Sequence, residues 1–312
     1  MRVLYIGGVG RSGTTLLDRM LGQLPGFFSA GEVEHLWSRG LGGERCGCGE
    51  SFMQCGVWAE VGQRAFGGWD TVDVERVRRL QRSVDNTRSI PGLLLPLWPP
   101  HRRRLAEFRD LLGRLYAAIS EVSGGSIIVD SSKHPAYAFL LRGVPGIDLR
   151  VVHMVRDSRG VAHSWTKVVQ RPEVIGRVEY MPRYAPMHTA IWWMLYNALF
   201  RLLARLGTPS LVVPYERLVE QPQAQLSTIL QFCGDARGLE ALGSLISGRT
   251  VQMHPTHSVA GNPLRFRQGQ LDIRLDEAWR NDMRRLDRIM VTAISWPLLR
   301  RLAYRPRGGT PR

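Results

Sequence analysis

A glycine-rich segment with hydroxyl side chains follows the first apolar stretch of the chain. Val3 to Ile6 is apolar, and residues 7–15 read Gly-Gly-Val-Gly-Arg-Ser-Gly-Thr-Thr. Such a loop between a strand and a helix presents backbone amides to a phosphate, and the helix N-terminus adds to the attraction. The spacing of Gly8 and Gly13 is that of a Walker A loop, but Thr14 stands where that motif has lysine. The residues expected to contact the phosphate are Gly10, Arg11, Ser12, Gly13, Thr14 and Thr15.

Two further polar clusters follow predicted strands at their carboxyl ends. The apolar run 126–129 ends at residues 130–133, Asp-Ser-Ser-Lys, and the run 149–155 ends at Arg156. Ser164 follows Arg156 by eight residues, just over two helical turns, so the two side chains share roughly one helix face. Ligands bind at the carboxyl ends of parallel strands. We therefore expect both clusters to join the glycine-rich loop in one site.

Lysine is rare in this chain. Of its 42 basic residues only Lys133 and Lys167 are lysines. Where arginine is the habitual cation, a lysine can mark a place where a guanidinium does not serve, because a compact ammonium acts as a point donor to a single oxygen. Lys133 follows a predicted strand directly, so it is a candidate for stabilising negative charge on one oxygen. The alternative is an ordinary surface lysine.

Apolar runs and helical patterns alternate along the chain. Strands are expected at residues 2–6, 27–30, 126–129, 149–155 and 210–213, and helices at 14–24, 32–37, 57–66, 72–86, 101–122 and 186–206. This alternation predicts an α/β fold with a central parallel sheet flanked by helices, in a three-layer, P-loop-like arrangement. We expect one domain over residues 1–312, with 40–125 a mostly helical insertion and 284–312 a basic C-terminal helix or tail.

The balance of charge favours anionic ligands. The net charge is +15, which suits nucleotides, phosphates or lipid headgroups. Nucleic acid is not expected, because the arginines are scattered and no helix-turn-helix or zinc-finger spacing is present. No run approaches about 18 apolar residues and no signal peptide is evident, so a cytoplasmic location is expected. The basic segment 284–305 either packs on the domain or contacts the inner face of the membrane.

Three of the four cysteines lie within ten residues, and their role stays open. Cys46, Cys48 and Cys55 form this cluster, whereas Cys233 is remote. The spacing matches no standard zinc finger and no fourth ligand is evident in the sequence. A structural or incidental role, a zinc site and a disulfide are the three interpretations.

Five segments together resemble PAPS-dependent sulfotransferases. The first, residues 7–17 with Gly31-Glu32, is similar to the 5′-phosphosulfate loop of that family, and most similar to its tyrosylprotein and bacterial branches. The remaining segments are 130–135 (Asp-Ser-Ser-Lys-His-Pro), 155–159 with Ser164, 213–218 (Val-Pro-Tyr-Glu-Arg-Leu) and 257–266. They occur in the family's order and span residues 3 to about 280.

The resemblance implies that PAPS is the sulfuryl donor and that no metal is required. Negative charge develops on the oxygen that leaves with the phosphate, and fixed cations stabilise it. Lys133 and Arg11 are the candidates for this role. Further implied cofactor contacts are Arg156 and Ser164 at the 3′-phosphate, with Ser258, Gly261 and Arg265 closing over the 3′-phosphate or the adenine. The alternative for Arg156 is a structural ion pair with Asp157 or Glu216.

The acceptor hydroxyl must lose a proton, and Glu32 matches the general-base position of the tyrosylprotein branch. A carboxylate beside a cationic loop stays ionised at neutral pH. Glu34 and His35 are neighbouring rivals, and a helix-capping role for Glu32 is the structural alternative. Because many sulfotransferases use histidine as the base, His134 and His257 also stay open.

The predicted function is sulfation of a hydroxyl on a carbohydrate, glycolipid or natural product. The sequence does not name the acceptor. Several aromatic residues could line its pocket, although most are expected in the core: Trp37, Trp58, Trp98, Tyr137, Trp165, Trp192 and Trp193. A P-loop-type small-molecule kinase and a non-catalytic nucleotide-binding protein are the alternatives. The missing Walker lysine disfavours the kinase, in which Asp130 would have to bind magnesium.

Overall fold

A five-stranded parallel sheet forms the centre of the computed structural model, which describes residues 1–302 and 304. Its strands, in chain order, are β1 (Arg2–Gly8), β2 (Phe27–Gly31), β3 (Ile127–Lys133), β4 (Asp148–Val155) and β5 (Ser210–Pro214). Their order across the sheet is β2-β3-β1-β4-β5, and every pairing is parallel. The parallel sheet and the α/β class that the sequence predicts are therefore confirmed.

Helices cover both faces of the sheet because the side chains of its inner strands alternate between two apolar cores. In β1, Val3 and Tyr5 belong to one core, whereas Leu4 and Ile6 belong to the other. The helices between the strands are α1 (Thr14–Leu21), α2 (Gly56–Phe66), α3 (Val74–Val84), α4 (Ile90–Leu94), α5 (Pro99–Val122), α6 (Pro135–Leu141), α7 (Ser158–Thr166) and α8 (Pro186–Arg205). The first core contains residues of α2, α3, α5, α6 and α8, and the second contains residues of α1.

The elements after the central sheet include a small second sheet. Helices α9 (Tyr215–Glu220), α10 (Pro222–Cys233) and α11 (Ala236–Leu245) lead to strands β6 (Ile246–Ser247), β7 (Thr250–Met253) and β8 (Gly269–Asp272), which pair antiparallel. Two helices follow, α12 (Trp279–Asp282) and α13 (Arg285–Arg301).

Several predicted boundaries differ from those observed. The segment after β2 is a 3-10 turn over Val33–His35 followed by a π-helical turn over Leu36–Gly40, instead of a helix over 32–37. Strand β3 continues through the polar residues Asp-Ser-Ser to Lys133, four residues beyond the predicted end at residue 129. Its partner contacts explain the extension, because Gly7 of β1 still pairs with Lys133.

The C-terminal helix α13 packs on α7 and α8 through Val291, Leu298 and Leu299, which are buried. Ser295 hydrogen-bonds the hydroxyl of Ser158 at 2.7 Å. The last part of the predicted tail, residues 305–312, lies outside the described residues. In the described part of the chain, no helix is both long enough and apolar enough to cross a membrane.

Candidate active site

The predicted polar clusters meet at the carboxyl edge of the central sheet. Strand β1 pairs with β3 on one side and β4 on the other, so the glycine-rich loop lies between the ends of both. A cavity of about 320 Å³ opens there. From the predicted set, Gly10, Arg11, Gly13, Thr14, Thr15, Lys133, Arg156 and Ser164 line it. The remaining members, Ser12, Glu32, Ser258, Gly261 and Arg265, do not line this cavity.

The glycine-rich loop is held in a conformation that faces the cavity. Gly13 has a φ of 86° and caps α1, whose first-turn amides have no partner within the helix. Arg11 also has a positive φ of 74°, which is uncommon for a residue with a side chain. Among the described residues, the buried hydroxyl of Ser12 has no hydrogen-bond partner. The first-turn amides of α1 and the side chain of Arg11 are available to an anionic ligand in the cavity.

Arg11 is oriented by Trp165 and Met181. Its guanidinium carbon lies 4.8 Å from the centre of the Trp165 ring, and Nη2 lies 3.3 Å from the Met181 sulfur. Trp165 is itself fixed, because its indole N–H donates to the Gly10 carbonyl at 3.1 Å. Neither partner is an anion, so the charge of Arg11 is left for the cavity.

Lys133 forms an ion pair with Glu32 at the wall of the cavity. Its Nζ donates to Oε1 of Glu32, while Nε2 of His35 lies 3.6 Å from the other oxygen. Glu32 is 3% exposed. Burial acts to raise the pKa of Glu32, but the charges of Lys133, His35 and Arg39 outweigh it and lower the pKa to about 2. Glu32 is thus a carboxylate with its proton-accepting oxygen engaged by the candidate catalytic lysine.

A second carboxylate–imidazole pair lies beside this ion pair. Nδ1 of His134 lies 2.5 Å from Oε1 of Glu34. Burial acts to lower the pKa of His134, but the carboxylate of Glu34 outweighs it, so the pKa is raised. His257, the other histidine considered as a base, lies against Cys55 at 3.3 Å.

Arg156 is fixed at the far side of the cavity. Its Nη1 donates to the Arg11 carbonyl at 3.0 Å, its Nη2 contacts Asp276, and its guanidinium lies over the Tyr215 ring. The suggested ion pairs with Asp157 and Glu216 are not formed. Asp157 binds Arg159 instead, and Glu216 accepts from the Asp157 amide and the Tyr304 hydroxyl. Arg156 and the carbonyl of Arg11 therefore link the ends of β1 and β4.

The late loop, residues 257–266, contacts the site differently from what the sequence suggests. Arg265 is fully buried and donates to the carbonyls of Ser258 and Arg45, both at 2.7 Å. Ser258 is also buried, so neither side chain reaches the cavity in this structure. Gly261 lies behind Glu32, where an added Cβ would be 3.4 Å from Oε1. In this arrangement Ser258 and Arg265 are part of the interior beside Glu32, and Gly261 lines the neighbouring cavity on the side of Glu32.

Sequence reasoning missed several residues that line the first cavity. These are Leu16, Met181, Tyr215, Asn262, Leu264, Leu271, Asp272, Ile273 and Arg274, whereas Trp165, which also lines the cavity, is among the aromatic residues considered for a pocket. Four of them come from β8 and the two residues after it. The alternation of polar and apolar residues over 270–274 is a period-two signal that indicates a strand, so this element was detectable.

A second cavity of about 310 Å³ adjoins the first on the side of Glu32 and His134. The two cavities share Gly10, Lys133, Trp165 and Met181. Tyr184, Trp192 and Tyr196 form an aromatic wall, with the rings of Trp192 and Tyr196 stacked at 12°. The other tryptophans weighed for a pocket lie elsewhere: Trp37, Trp58 and Trp193 are buried in the cores, and Trp98 is exposed.

Asp130, the acid that a kinase would need, is fully buried. It accepts hydrogen bonds from the hydroxyls of Tyr116 and Ser132 and from the Ser132 amide. Burial raises its pKa to about 7. Its hydrogen bonds hold the end of β3 in place, and Asp130 is not among the residues lining the first cavity.

Comparison with solved structures supports the fold. The sulfotransferase domain of the olefin synthase of Synechococcus PCC 7002 superposes with a TM-score of 0.52 at 20% identity, over 96% of this chain and 94% of that domain. A sulfotransferase domain from the curacin biosynthetic pathway gives 0.46 at 16% identity, over 95% and 96%. A Mycobacterium avium sulfotransferase gives 0.47 at 14%, over 99% and 78%. No protein-family model and no curated protein sequence matches the chain.

Proposed function

We propose that this protein transfers a sulfuryl group from PAPS to a hydroxyl of an acceptor. One observation carries the proposal. The ion pair of Lys133 and Glu32 lies at the boundary of two cavities, one lined by the phosphate loop and one by aromatic rings. Sulfuryl transfer needs a cation at the leaving oxygen and a base at the attacking oxygen, and this boundary offers both.

The first cavity has groups that fit the two anionic ends of PAPS. The amides and hydroxyls of the glycine-rich loop, with Arg11, would hold the 5′-phosphosulfate. Arg156 and Ser164 would bind the 3′-phosphate by charge-assisted and hydroxyl hydrogen bonds. The guanidinium of Arg11 supports this fit, because it lines the cavity and forms no ion pair with another described residue.

Bound PAPS would supply the sulfuryl group and the phosphate leaving group. Lys133 donates to the oxygen that bridges sulfur and phosphorus and so stabilises the charge that grows there as the bond breaks. Glu32 would accept the proton of the acceptor hydroxyl while the oxygen of that hydroxyl bonds to sulfur. Loss of the Lys133 contact would remove the largest of the charges that lower the pKa of Glu32, and would therefore raise that pKa towards the range of a base.

The second cavity suggests the kind of acceptor. Its wall of Tyr184, Trp192 and Tyr196 offers flat apolar surfaces. Arg39 and Arg171 also line it, but both are engaged in ion pairs with Glu44 and Glu173. Aromatic rings of this kind pack against the faces of sugars and of ring-containing natural products. We therefore keep a carbohydrate, a glycolipid or a natural product as the acceptor class.

Glu32 is the proposed base, and the Glu34–His134 pair is the second candidate. His134 lines the acceptor cavity, and its Nδ1 is oriented by a carboxylate, as in other histidine bases. A kinase is less well supported, because Thr14 replaces the Walker lysine and Asp130 is buried among its partners. A non-catalytic nucleotide binder would have no need for the Lys133–Glu32 pair.

Thermal unfolding with nucleotides tests the donor. We expect PAP, the nucleotide product of PAPS, to raise the melting temperature without magnesium, and ATP with magnesium to raise it less, because the described lining of the cavity has the four cations Arg11, Lys133, Arg156 and Arg274 and one carboxylate, that of Asp272. The opposite order would favour the kinase. Transfer of labelled sulfate from PAPS across a panel of sugars, glycolipids and phenolic or polyketide alcohols then identifies the acceptor.

A further inference from the structure

Three cysteines that are close together in the sequence lie beside a histidine from a distant part of the chain. Cys46, Cys48 and Cys55 lie on the segment between β2 and α2, and His257 lies on the loop between β7 and β8. One ligand atom from each residue lies within 4.8 Å of all the others. His257 is the fourth partner that the spacing of the cysteines did not reveal.

The distances suit one tetrahedral metal ion. The sulfur atoms of Cys48 and Cys55 are 3.8 Å apart, and the Cys55 sulfur lies 3.3 Å from Nδ1 of His257. In a tetrahedral zinc site, Zn–S bonds of about 2.3 Å place neighbouring sulfurs about 3.8 Å apart, and the shorter Zn–N bond brings sulfur and nitrogen closer still. The observed separations therefore match the edges of such a tetrahedron.

Local structure holds the ligands in this arrangement. The amide of Cys46 donates to the Glu50 carbonyl at 2.8 Å, and the amide of Gly49 donates back to the Cys46 carbonyl at 2.9 Å. This tight turn presents Cys46 and Cys48 on one side. The carbonyl of His257 accepts from the indole of Trp58 at 2.6 Å, which fixes the histidine backbone.

A disulfide explains fewer of these groups. A bond between Cys48 and Cys55 would not explain why the buried Cys46 thiol and the His257 ring lie in the same cluster. Three thiolates and one imidazole are a usual ligand set for structural zinc, with no position open for substrate. Cys46 and Cys55 are buried, as expected for a structural site.

We propose that Cys46, Cys48, Cys55 and His257 bind one structural Zn²⁺. The ion would fasten the loop of residues 256–261 to the segment of residues 45–58. The same loop donates the Val259 amide to the Ala30 carbonyl and accepts from the Glu32 amide at the Ala260 carbonyl, over 2.9 and 3.4 Å. Zinc would thus stabilise the backbone behind the proposed base without touching substrate.

Elemental analysis of the full-length protein tests the site. The protein is purified without a polyhistidine tag and under reducing conditions, and we expect about one zinc per chain. Cys55→Ser and His257→Ala should each lose at least half of the bound zinc and lower the melting temperature. His257→Cys should retain zinc, because four thiolates also form a tetrahedral zinc site. Exchange of zinc for cobalt should give the absorption of a tetrahedral thiolate complex.

Cys233→Ser is the matched control, because this fourth cysteine is buried in the other core, away from the cluster. It should keep the full zinc content. A wild-type protein that is folded but free of metal, with four free thiols in mass spectrometry, would overturn the proposal, as would a Cys48–Cys55 disulfide in protein prepared without reductant. An iron–sulfur chromophore in place of zinc would also overturn it. These readouts do not depend on sulfuryl transfer, so they can fail or succeed independently of the proposed function.

Discussion

At the scale of single residues, the two lysines of the chain offer a direct comparison. Lys133 lies at the boundary of the two cavities and pairs with a buried carboxylate, whereas Lys167 is 41% exposed and pairs with Asp276 on the surface. Both are lysines in a chain that otherwise uses arginine. Only the first is held where charge would develop in the proposed reaction.

Lys133→Ala should lower kcat for sulfuryl transfer by about 10² to 10³, the usual cost of removing one donor to a developing anion. Lys133→Arg should recover little of the loss, because the fork of a guanidinium does not replace a point donor in a pocket already crowded by Glu32. Lys167→Ala is the control and should stay within about threefold of wild type, since exposed ion pairs contribute little. Equal losses for both lysines, measured by labelled sulfate transfer, would refute the role of Lys133.

Glu32→Gln should keep PAP binding and lose turnover. Its effect on stability should depend on pH. The pKa of Glu32 is lowered to about 2 in the folded protein, so its carboxylate contributes stability that is present above the unfolded pKa near 4.5 and is lost as the pH falls towards 2. The advantage of wild type over Glu32→Gln should be on the order of 3 kcal/mol at pH 6 and shrink with acid.

Urea unfolding between pH 3 and pH 6 measures this advantage. A gap that does not change with pH would contradict the ionised pair. Turnover decides the base separately: if Glu32→Gln keeps it while His134→Asn abolishes it, the base is His134, and its raised pKa should then appear as the acid limb of the pH profile.

At the scale of elements, the end of β2 must meet the late loop closely. Gly31 has a φ of 76°, and a Cβ there would lie 2.7 Å from the Ser258 Cβ and 2.9 Å from backbone atoms of Val259 and Ala260. Glycine is therefore required for two reasons, the backbone conformation and the close approach. This contact sets the direction in which the chain carries Glu32 into the site.

Gly31→Ala should destabilise the protein by about 2 to 4 kcal/mol, because left-handed strain adds to overlap with backbone that cannot move easily. Gly67→Ala is the matched control. Gly67 has a φ of 81° but no atom within 4 Å of an added Cβ, so this variant reports strain alone, about 1 kcal/mol. Chemical denaturation compares them, and equal losses would show that the contact with the late loop is unimportant.

At the scale of the whole molecule, the positive charge of the first cavity suits an anionic donor, whereas the aromatic surfaces of the second cavity suit the proposed acceptor. The net charge is +15, and the first cavity holds Arg11, Lys133, Arg156 and Arg274. The second cavity combines aromatic rings with cations that are already paired with carboxylates, Lys133 with Glu32, and Arg39 and Arg171 with Glu173. Contact of α13 with a membrane stays a prediction, since its buried residues are already packed on α7 and α8.

Raising the salt concentration should therefore affect the two ligands unequally. Between 0.05 and 0.5 M NaCl, the affinity for PAP should fall by about tenfold, because the Debye length shortens from well above 10 Å to a few ångströms. The KM of an uncharged acceptor should change by less than about twofold. Calorimetric titration and initial rates measure the two effects. An acceptor KM that follows the PAP affinity would contradict this division of the site.

The sequence by itself determined the parallel sheet, the glycine-rich loop after its first strand and the polar clusters at the strand ends, because periodicity and glycine spacing are local properties. Arg11, Lys133, Arg156 and Ser164 could be predicted as neighbours, since parallel strands place their carboxyl ends together. The sequence also indicated Glu32 as a candidate site residue, but it did not indicate the ion pair with Lys133 that lowers the pKa of Glu32.

Only the tertiary structure decided which residues across long sequence gaps touch one another. It turned Ser258 and Arg265 into the interior, brought β8 to the cavity, and placed His257 beside the three cysteines. No local pattern encodes such contacts, because they depend on how loops that are 200 residues apart pack over one sheet. The metal site proposed above is therefore visible only after folding.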